Sequence, residues 1–167
     1  MFRHTAAAKK AGFGITLHLD SATRSFIDEF STANFLGVKE RDGKKTLVVP
    51  TSPSILGSIT TKAIADIAES LGWAIERRPL PFQEVIDGGL DEVAAAGTAA
   101  AVTAVRSISF ENEAGEVQKI KIGNGETAGP NFQQILQELT AIQSGIQPAP
   151  NSDWVWPAAG IDSERKL

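Results

Sequence analysis

The stretch VAAAGTAAAVTAV, Val93 to Val105, decides whether this part of the chain is read as helix or as sheet. Its seven alanines favour a helix on propensity alone. The central Gly97-Thr98 weakens that preference, and β-branched Val93, Val102, Thr103 and Val105 pull toward strand. A strand running into Gly97-Thr98 lets the backbone approach a ligand closely. Thr98 adds a hydroxyl there, and the small Ala99 and Ala100 leave the following N–H groups unobstructed. The plainer alternative is a packed strand with a glycine bulge.

Working outward from this stretch, strand-like and helix-like segments alternate. Ile15–Leu19 alternates apolar residues with Thr16 and His18, which places His18 on the polar face of a strand and gives it no chemistry. An extended segment near Phe26–Val38 is interrupted by Ser31-Thr32. Arg41-Asp42-Gly43-Lys44 reads as a hairpin turn into Thr46–Val49. After the loop TSPSILGS, Ile64, Ile67, Ala68 and Leu71 recur at helical spacing within Ile59–Leu71, and Gly72 stands at the cap position.

Trp73–Arg78 is expected to be a strand, followed by a short helix at Phe82–Ile86 that ends at Gly88-Gly89. Val117–Ile122 alternates as a half-exposed strand. Gly129-Pro130 opens a last helix with a buried stripe of Phe132, Ile135, Leu136, Leu139 and Ile142, stopped by Gly145. Trp154 and Trp156 are expected to dock on the domain. The expected organisation is one mixed α/β domain over residues 1–160 and a polar tail over 161–167.

Composition narrows the function. The 167 residues are 42% hydrophobic and 22% charged, ordinary for one globular domain. Sixteen basic against 20 acidic residues give a net charge of −4, so nothing favours nucleic acid. No apolar run approaches the length of a membrane span. With no cysteine, disulfides, thiolate metal sites and thiol nucleophiles are excluded. Arg3, His4, Lys9 and Lys10 precede any acidic residue, a weak match to a transit peptide. A cytoplasmic protein is expected, with the mitochondrion as the alternative.

Three short stretches stand out. Glu29-Phe30-Ser31-Thr32-Ala33-Asn34-Phe35 sets an acid and small polar residues between apolar strand residues, which suits a turn or bulge but also an acid facing a cationic group. Ser54-Ile55-Leu56-Gly57-Ser58-Ile59-Thr60-Thr61 feeds a helix whose free N–H groups and dipole attract anions, although an ordinary Ser cap explains the same residues. The third is Gly97-Thr98-Ala99.

Taken in order, these stretches resemble the large C-terminal domain of the branched-chain amino-acid aminotransferases, class-IV aminotransferases and pyridoxal-phosphate enzymes of fold type IV. The resemblance runs through nearly the whole chain. It rests on AAAKKAGF before a strand ending LD, on EFSTANF, on SILGSIT with a helix ending LGWAIERR, and on GTAAAVTAV with RSI. GP before a helix ending LTAIQSGIQ and a closing WVWP complete it. It implies a mixed sheet or pseudobarrel flanked by helices, of the D-amino-acid aminotransferase type, without the small N-terminal domain.

The resemblance also implies roles. Glu29 corresponds to the carboxylate that pairs with the cofactor's pyridine nitrogen, and Leu56 to the residue against its ring. Ile59 and Thr60 correspond to the helix-start positions whose N–H groups hold the phosphate. Thr98, after Gly97, contacts phosphate and substrate carboxylate, and the Ala99 N–H faces that carboxylate. No metal is implied. The chain departs from the family pattern at Gly57-Ser58, where Pro-Gly is usual, and at Thr61, where Arg commonly stands. Ser31 replaces a Gly and Ala104 a Pro. A redox CxxC found in some members has Ala100 and Thr103 in its place.

The family's Schiff-base Lys lies upstream of the acid, and neither Lys9, Lys10 nor any other lysine here stands in a matching context. Without such an amine a transaminase lacks its covalent anchor and proton shuttle. The expected function is therefore that of a truncated branched-chain aminotransferase-like chain, related to enzymes that exchange Leu, Ile or Val with 2-oxoglutarate, without a catalytic residue of its own. The alternative is a lysine-free relative: a pseudoenzyme partner subunit, or a fold repurposed for isomerisation or cyclisation. Uncovered apolar surface predicts a homodimer or a partner subunit.

Overall fold

The computed structural model describes residues 2–112, 114–127, 129–151 and 154, with side chains from residue 5 onward. In chain order the elements are α1 (Phe2–Lys10), β1 (Leu17–Leu19), β2 (Phe26–Phe30), β3 (Ala33–Arg41), β4 (Lys44–Pro50) and α2 (Ile59–Ser70). They continue with β5 (Ala74–Arg78), β6 (Leu80–Pro81), α3 (Phe82–Ile86), β7 (Glu92–Gly97) and β8 (Ala101–Ala104). β9 (Ser107–Glu111), β10 (Val117–Lys121) and α4 (Pro130–Gln143) complete the chain.

β3 is the spine of an eight-stranded sheet. On one side it pairs antiparallel with β7, from Asn34↔Ala96 to Val38↔Glu92. On the other it pairs first with β2, at Glu29↔Asn34, and then with β4, at Gly37↔Val48. β5 lies parallel to β4, β8 antiparallel to β7, and β1 and β6 both pair with β2. β9 and β10 form a separate antiparallel ribbon. This is the mixed α/β architecture that the resemblance implies.

Alternation along β3 sends Leu36 and Val38 to one face, where Ala94 and Ala96 of β7 join them against Ile64, Ala65, Ile67 and Ala68 of α2 and Phe132, Ile135 and Leu139 of α4. The opposite face buries Phe35, Val93 and Ala95 with Ile27, Phe30, Leu80 and Val85. The alanines of β7 suit this place, because helices cover them on one side and the second core on the other. Gly37 has a packing reason of its own: a Cβ there would sit 2.5 Å from Leu90 Cδ1.

Local signals serve well where they are strong. α3 has the expected bounds, α2 ends one residue earlier than expected, and Gly72 adopts φ +80° after its cap. The turn at Asp42-Gly43 has φ of +52° and +71°, as a two-residue hairpin between right-twisted strands requires. The break at Ser31-Thr32 is the turn of the β2–β3 hairpin.

Elsewhere the structure corrects the sequence reading. Val93–Val105 is two strands, β7 and β8, folded back through Thr98–Ala100, with Ala101 at φ +51°. Gly97 is no bulge: its negative φ and 3.6 Å clearance to Ala33 Cβ would accept a side chain. The first strand begins at Leu17, two residues later than expected. Leu136 is exposed on α4, because the helix turns only a narrow stripe to the sheet. β6 and β9 are additional elements. Trp154 docks as expected, its Nε1 donating to Asp66 Oδ2 on α2 at 3.0 Å. Trp156 and the tail over 161–167 lie outside the described residues.

A surface ion-pair chain ties β3, β5 and α3 together. Glu76 accepts from Lys39 at 2.5 Å and from Arg78 at 2.6 Å, and Arg78 reaches Glu84 at 2.7 Å. Hydrogen bonds from Lys39 and then Arg78 hold the Glu76 carboxyl below its usual range. No helix among the described residues is long and apolar enough to cross a membrane.

Candidate functional site

The registers place three connections at one end of the sheet. β2 ends at Phe30 where β3 begins, β4 and β5 end together at Pro50↔Arg78, and β7 ends at Gly97 beside the start of β3. The hairpin turn 31–32, the loop 51–58 and the turn 98–100 therefore share an edge. Glu29, Asn34 and Ala96 lie directly opposite one another across three strands and so share a face, the one on which α2 packs. Two strand spacings put Glu29 and Ala96 about 10 Å apart.

Glu29 is half-buried and meets the 51–58 loop directly. Its Oε2 accepts from Leu56 N at 3.4 Å and from Asn34 Nδ2 at 3.3 Å. Asn34 Nδ2 also donates to Leu56 O at 3.2 Å. No hydrogen bond to Glu29 Oε1 is found among the described residues, so one carboxylate oxygen remains open. Leu56 itself is 76% exposed, an apolar side chain left in solvent beside that acid.

Two residues further on, Ser58 caps α2 in an extended conformation, and its Oγ accepts from Thr61 N at 3.1 Å. Lys62 N donates to Ser58 O. The cap satisfies the third N–H of the helix and leaves those of Ile59 and Thr60 without an acceptor among the described residues, at the positive end of the helix dipole. Ile59 is 89% exposed. Thr61 is buried and its Oγ1 has no partner among the described residues.

Gly97, Thr98 and Ala99 stand on the neighbouring turn, the last two exposed. They line an open cavity of about 1110 Å³ with Phe30, Thr32, Ala33 and Lys119. The structure thus brings Glu29 and Leu56 into contact and sets Ile59 and Thr60 just beyond them. It places Gly97, Thr98 and Ala99 at the same edge without a direct bond to the other four. Sequence reading missed two participants. Asn34 was visible only as a letter of the EFSTANF pattern, and Lys119 reaches the cavity by way of the β9–β10 ribbon. Among the described residues no group of acidic or histidine side chains is placed to hold a metal ion.

An acid with an open oxygen beside a helix start whose first two N–H groups are free suits a ligand carrying a protonated ring nitrogen at one end and a phosphate at the other. Pyridoxal phosphate has this form, and the open Glu29 Oε1 and the unpaired N–H groups of Ile59 and Thr60 fit it. The family comparison agrees with that class. Residues 1–108 match the model of amino-transferase class IV. The chain belongs to the class-IV aminotransferase family.

Among its relatives, the aminotransferase atnJ of Emericella nidulans is 44% identical over 142 residues, 83% of this chain and 39% of that protein. The transaminase htyB of Aspergillus rugulosus is 41% identical over 90% of this chain and 38% of its own length. Among solved structures, the branched-chain amino acid aminotransferase from Escherichia coli superposes with a TM-score of 0.70 at 30% identity, covering 91% of this chain and 45% of that one. The chain therefore spans about two fifths of the length of these curated relatives.

Proposed function

We propose that this chain forms the cofactor cup of a pyridoxal-phosphate-dependent aminotransferase acting on an amino acid and a 2-oxo acid. The observation that carries the reading is the open Glu29 Oε1 held beside the first turn of α2, whose Ile59 and Thr60 N–H groups the Ser58 cap does not engage. Glu29 would accept a hydrogen bond from the protonated ring nitrogen and so keep that nitrogen charged. The Ile59 and Thr60 N–H groups hold the phosphate, with the Thr98 hydroxyl as a further donor. Leu56 covers the ring, and Ala99 N, beyond Gly97, faces the substrate carboxylate. When bound, the cofactor supplies an electron sink for the carbanion formed next to the substrate nitrogen. The branched-chain description in the name of the E. coli structure supports substrates of that class.

In this reading the covalent anchor is not among the chain's own lysines. Lys39 is engaged by Glu76, Lys45 lies over the Trp73 ring at 5.2 Å, and no lysine side chain bonds to Glu29, Leu56 or the start of α2 among the described residues. The exposed apolar Leu56 and Ile59 beside the cup favour a partner subunit or a second copy there.

The test is to titrate the purified chain with pyridoxal phosphate, record the spectrum before and after borohydride, and map any adduct by mass spectrometry. Saturable binding without a lysine adduct is expected. An adduct on Lys119 would place the covalent anchor within this chain, and no saturable binding would overturn the cofactor cup.

A further inference from the structure

We propose that Asn34 is a positioning residue that aims Glu29 at the ring nitrogen, an inference that rests on the cofactor reading above. An Asn amide nitrogen carries two hydrogens, and here each has its own acceptor: Glu29 Oε2 at 3.3 Å and Leu56 O at 3.2 Å. The reverse amide orientation would set Oδ1 against two acceptor oxygens, so the surroundings fix which end faces the acid. Leu56 N closes the ring of contacts on the same Oε2 at 3.4 Å. All three distances are long for hydrogen bonds, so no one of them holds the carboxylate alone. Acting together they hold Oε2 in place and leave Oε1, which accepts no hydrogen bond among the described residues, for the ring nitrogen.

Backbone pairing makes this arrangement rigid. Asn34 is bonded into the sheet between Glu29 on β2 and Ala96 on β7, so its side chain issues from a fixed point. The same amide that orients the acid also holds the Leu56 carbonyl, in the loop two residues before the α2 cap. Asn34 thereby sets the distance between the two ends of the cup, ring-nitrogen acceptor and phosphate donors.

The experiment uses pyridoxamine 5′-phosphate labelled with 15N in the ring, inorganic phosphate, and the full chain carrying Asn34→Asp or Asn34→Ala. The aspartate variant keeps the shape but puts one charged oxygen where the nitrogen carrying both donors stood, and the alanine variant removes the donors without adding charge. The pH at which the bound ring nitrogen loses its proton is read by 15N NMR, and both affinities by titration. In the alanine variant that pH is expected to fall by about one unit, with pyridoxamine 5′-phosphate affinity about ten-fold lower and inorganic phosphate affinity unchanged. In the aspartate variant the added charge opposes that fall while affinity still drops. Equal loss of both affinities would make Asn34 a structural residue only and overturn the inference. Variants that match the wild type in both readouts would also overturn it. Failure of the wild-type chain to bind pyridoxamine 5′-phosphate would overturn the cofactor reading itself, an outcome distinct from the other two.

Discussion

Glu92, near the end of the sheet opposite the cup, caps α4 through Asn131, a residue 39 positions further along the chain. Its Oε1 accepts from Asn131 N at 2.9 Å and Asn131 Nδ2 at 2.8 Å, and its Oε2 from Phe132 N at 2.9 Å. Both residues are buried. A negative charge there also meets the positive end of the helix dipole. Gly129 is required for the contact, because a Cβ would lie 2.0 Å from the Glu92 carboxyl carbon.

Glu92→Ala strands three buried donors and is expected to cost about 2–3 kcal/mol in urea unfolding. Gly129→Ala, which pushes the carboxylate off the helix, is expected to cost about 1–3 kcal/mol. The double variant should lose less than the sum, since both changes break one arrangement. Full additivity would show that the cap is not what Gly129 protects.

Asp20 governs a pH-dependent contribution at the β1–β2 turn. Its carboxylate accepts from Thr23 N at 2.6 Å and from Ser25 N and Phe26 N, both at 2.8 Å. These backbone bonds, that from Phe26 the largest, hold its acid dissociation far below the usual carboxylate range. A group whose folded value is depressed contributes stability that is present above the unfolded value, about 3.9, and lost as pH falls toward the folded one. Wild type should thus exceed Asp20→Asn in urea midpoint at pH 7, and the gap should narrow steadily below about pH 4. A gap that widens on acidification would contradict this assignment.

Ser58 separates the stability of α2 from the anion site at its start. Ser58→Ala removes the acceptor of the Thr61 N–H and should cost about 1 kcal/mol, whereas Ser58→Gly should cost only a few tenths. Neither change touches the Ile59 and Thr60 N–H groups, so inorganic phosphate titrations should match the wild type. Loss of phosphate affinity in the glycine variant would mean that the hydroxyl itself holds the anion.

Legibility in the sequence followed the range of the forces involved. α2, α3, the Asp42-Gly43 turn and the Gly72 cap come from neighbours within a few residues, and periodicity or turn chemistry reports them directly. Leu136 looked like core because its spacing fits the stripe of α4, but the sheet covers only part of that face. Glu29, Leu56, Ile59 and Thr60 were singled out through the resemblance, position by position, and not through local pattern. What no local pattern holds is the pairing of β3 with both β2 and β7, which puts Asn34 between Glu29 and Ala96. The Glu92 cap is invisible for the same reason.

The alanine-rich stretch shows how location divides chemically identical residues. Ala96 is fully buried on β7, between the strand and the side chains of α2 and α4, whereas Ala99 is exposed at the turn. Ala96→Leu adds three carbons to a filled space, and overpacking of that kind costs about 1–3 kcal/mol. Ala99→Leu enters solvent and should change stability by less than about 0.5 kcal/mol. Measured by urea unfolding, the two variants should therefore separate clearly, with Ala96→Leu the less stable. The same Ala99→Leu chain should bind pyridoxamine 5′-phosphate with its ring-nitrogen titration intact, because Glu29, Asn34 and Leu56 lie outside its turn. Equal destabilisation by both leucines would mean that the chain between Gly97 and Ala101 is packed inside the domain and does not form the open turn of a β7–β8 hairpin.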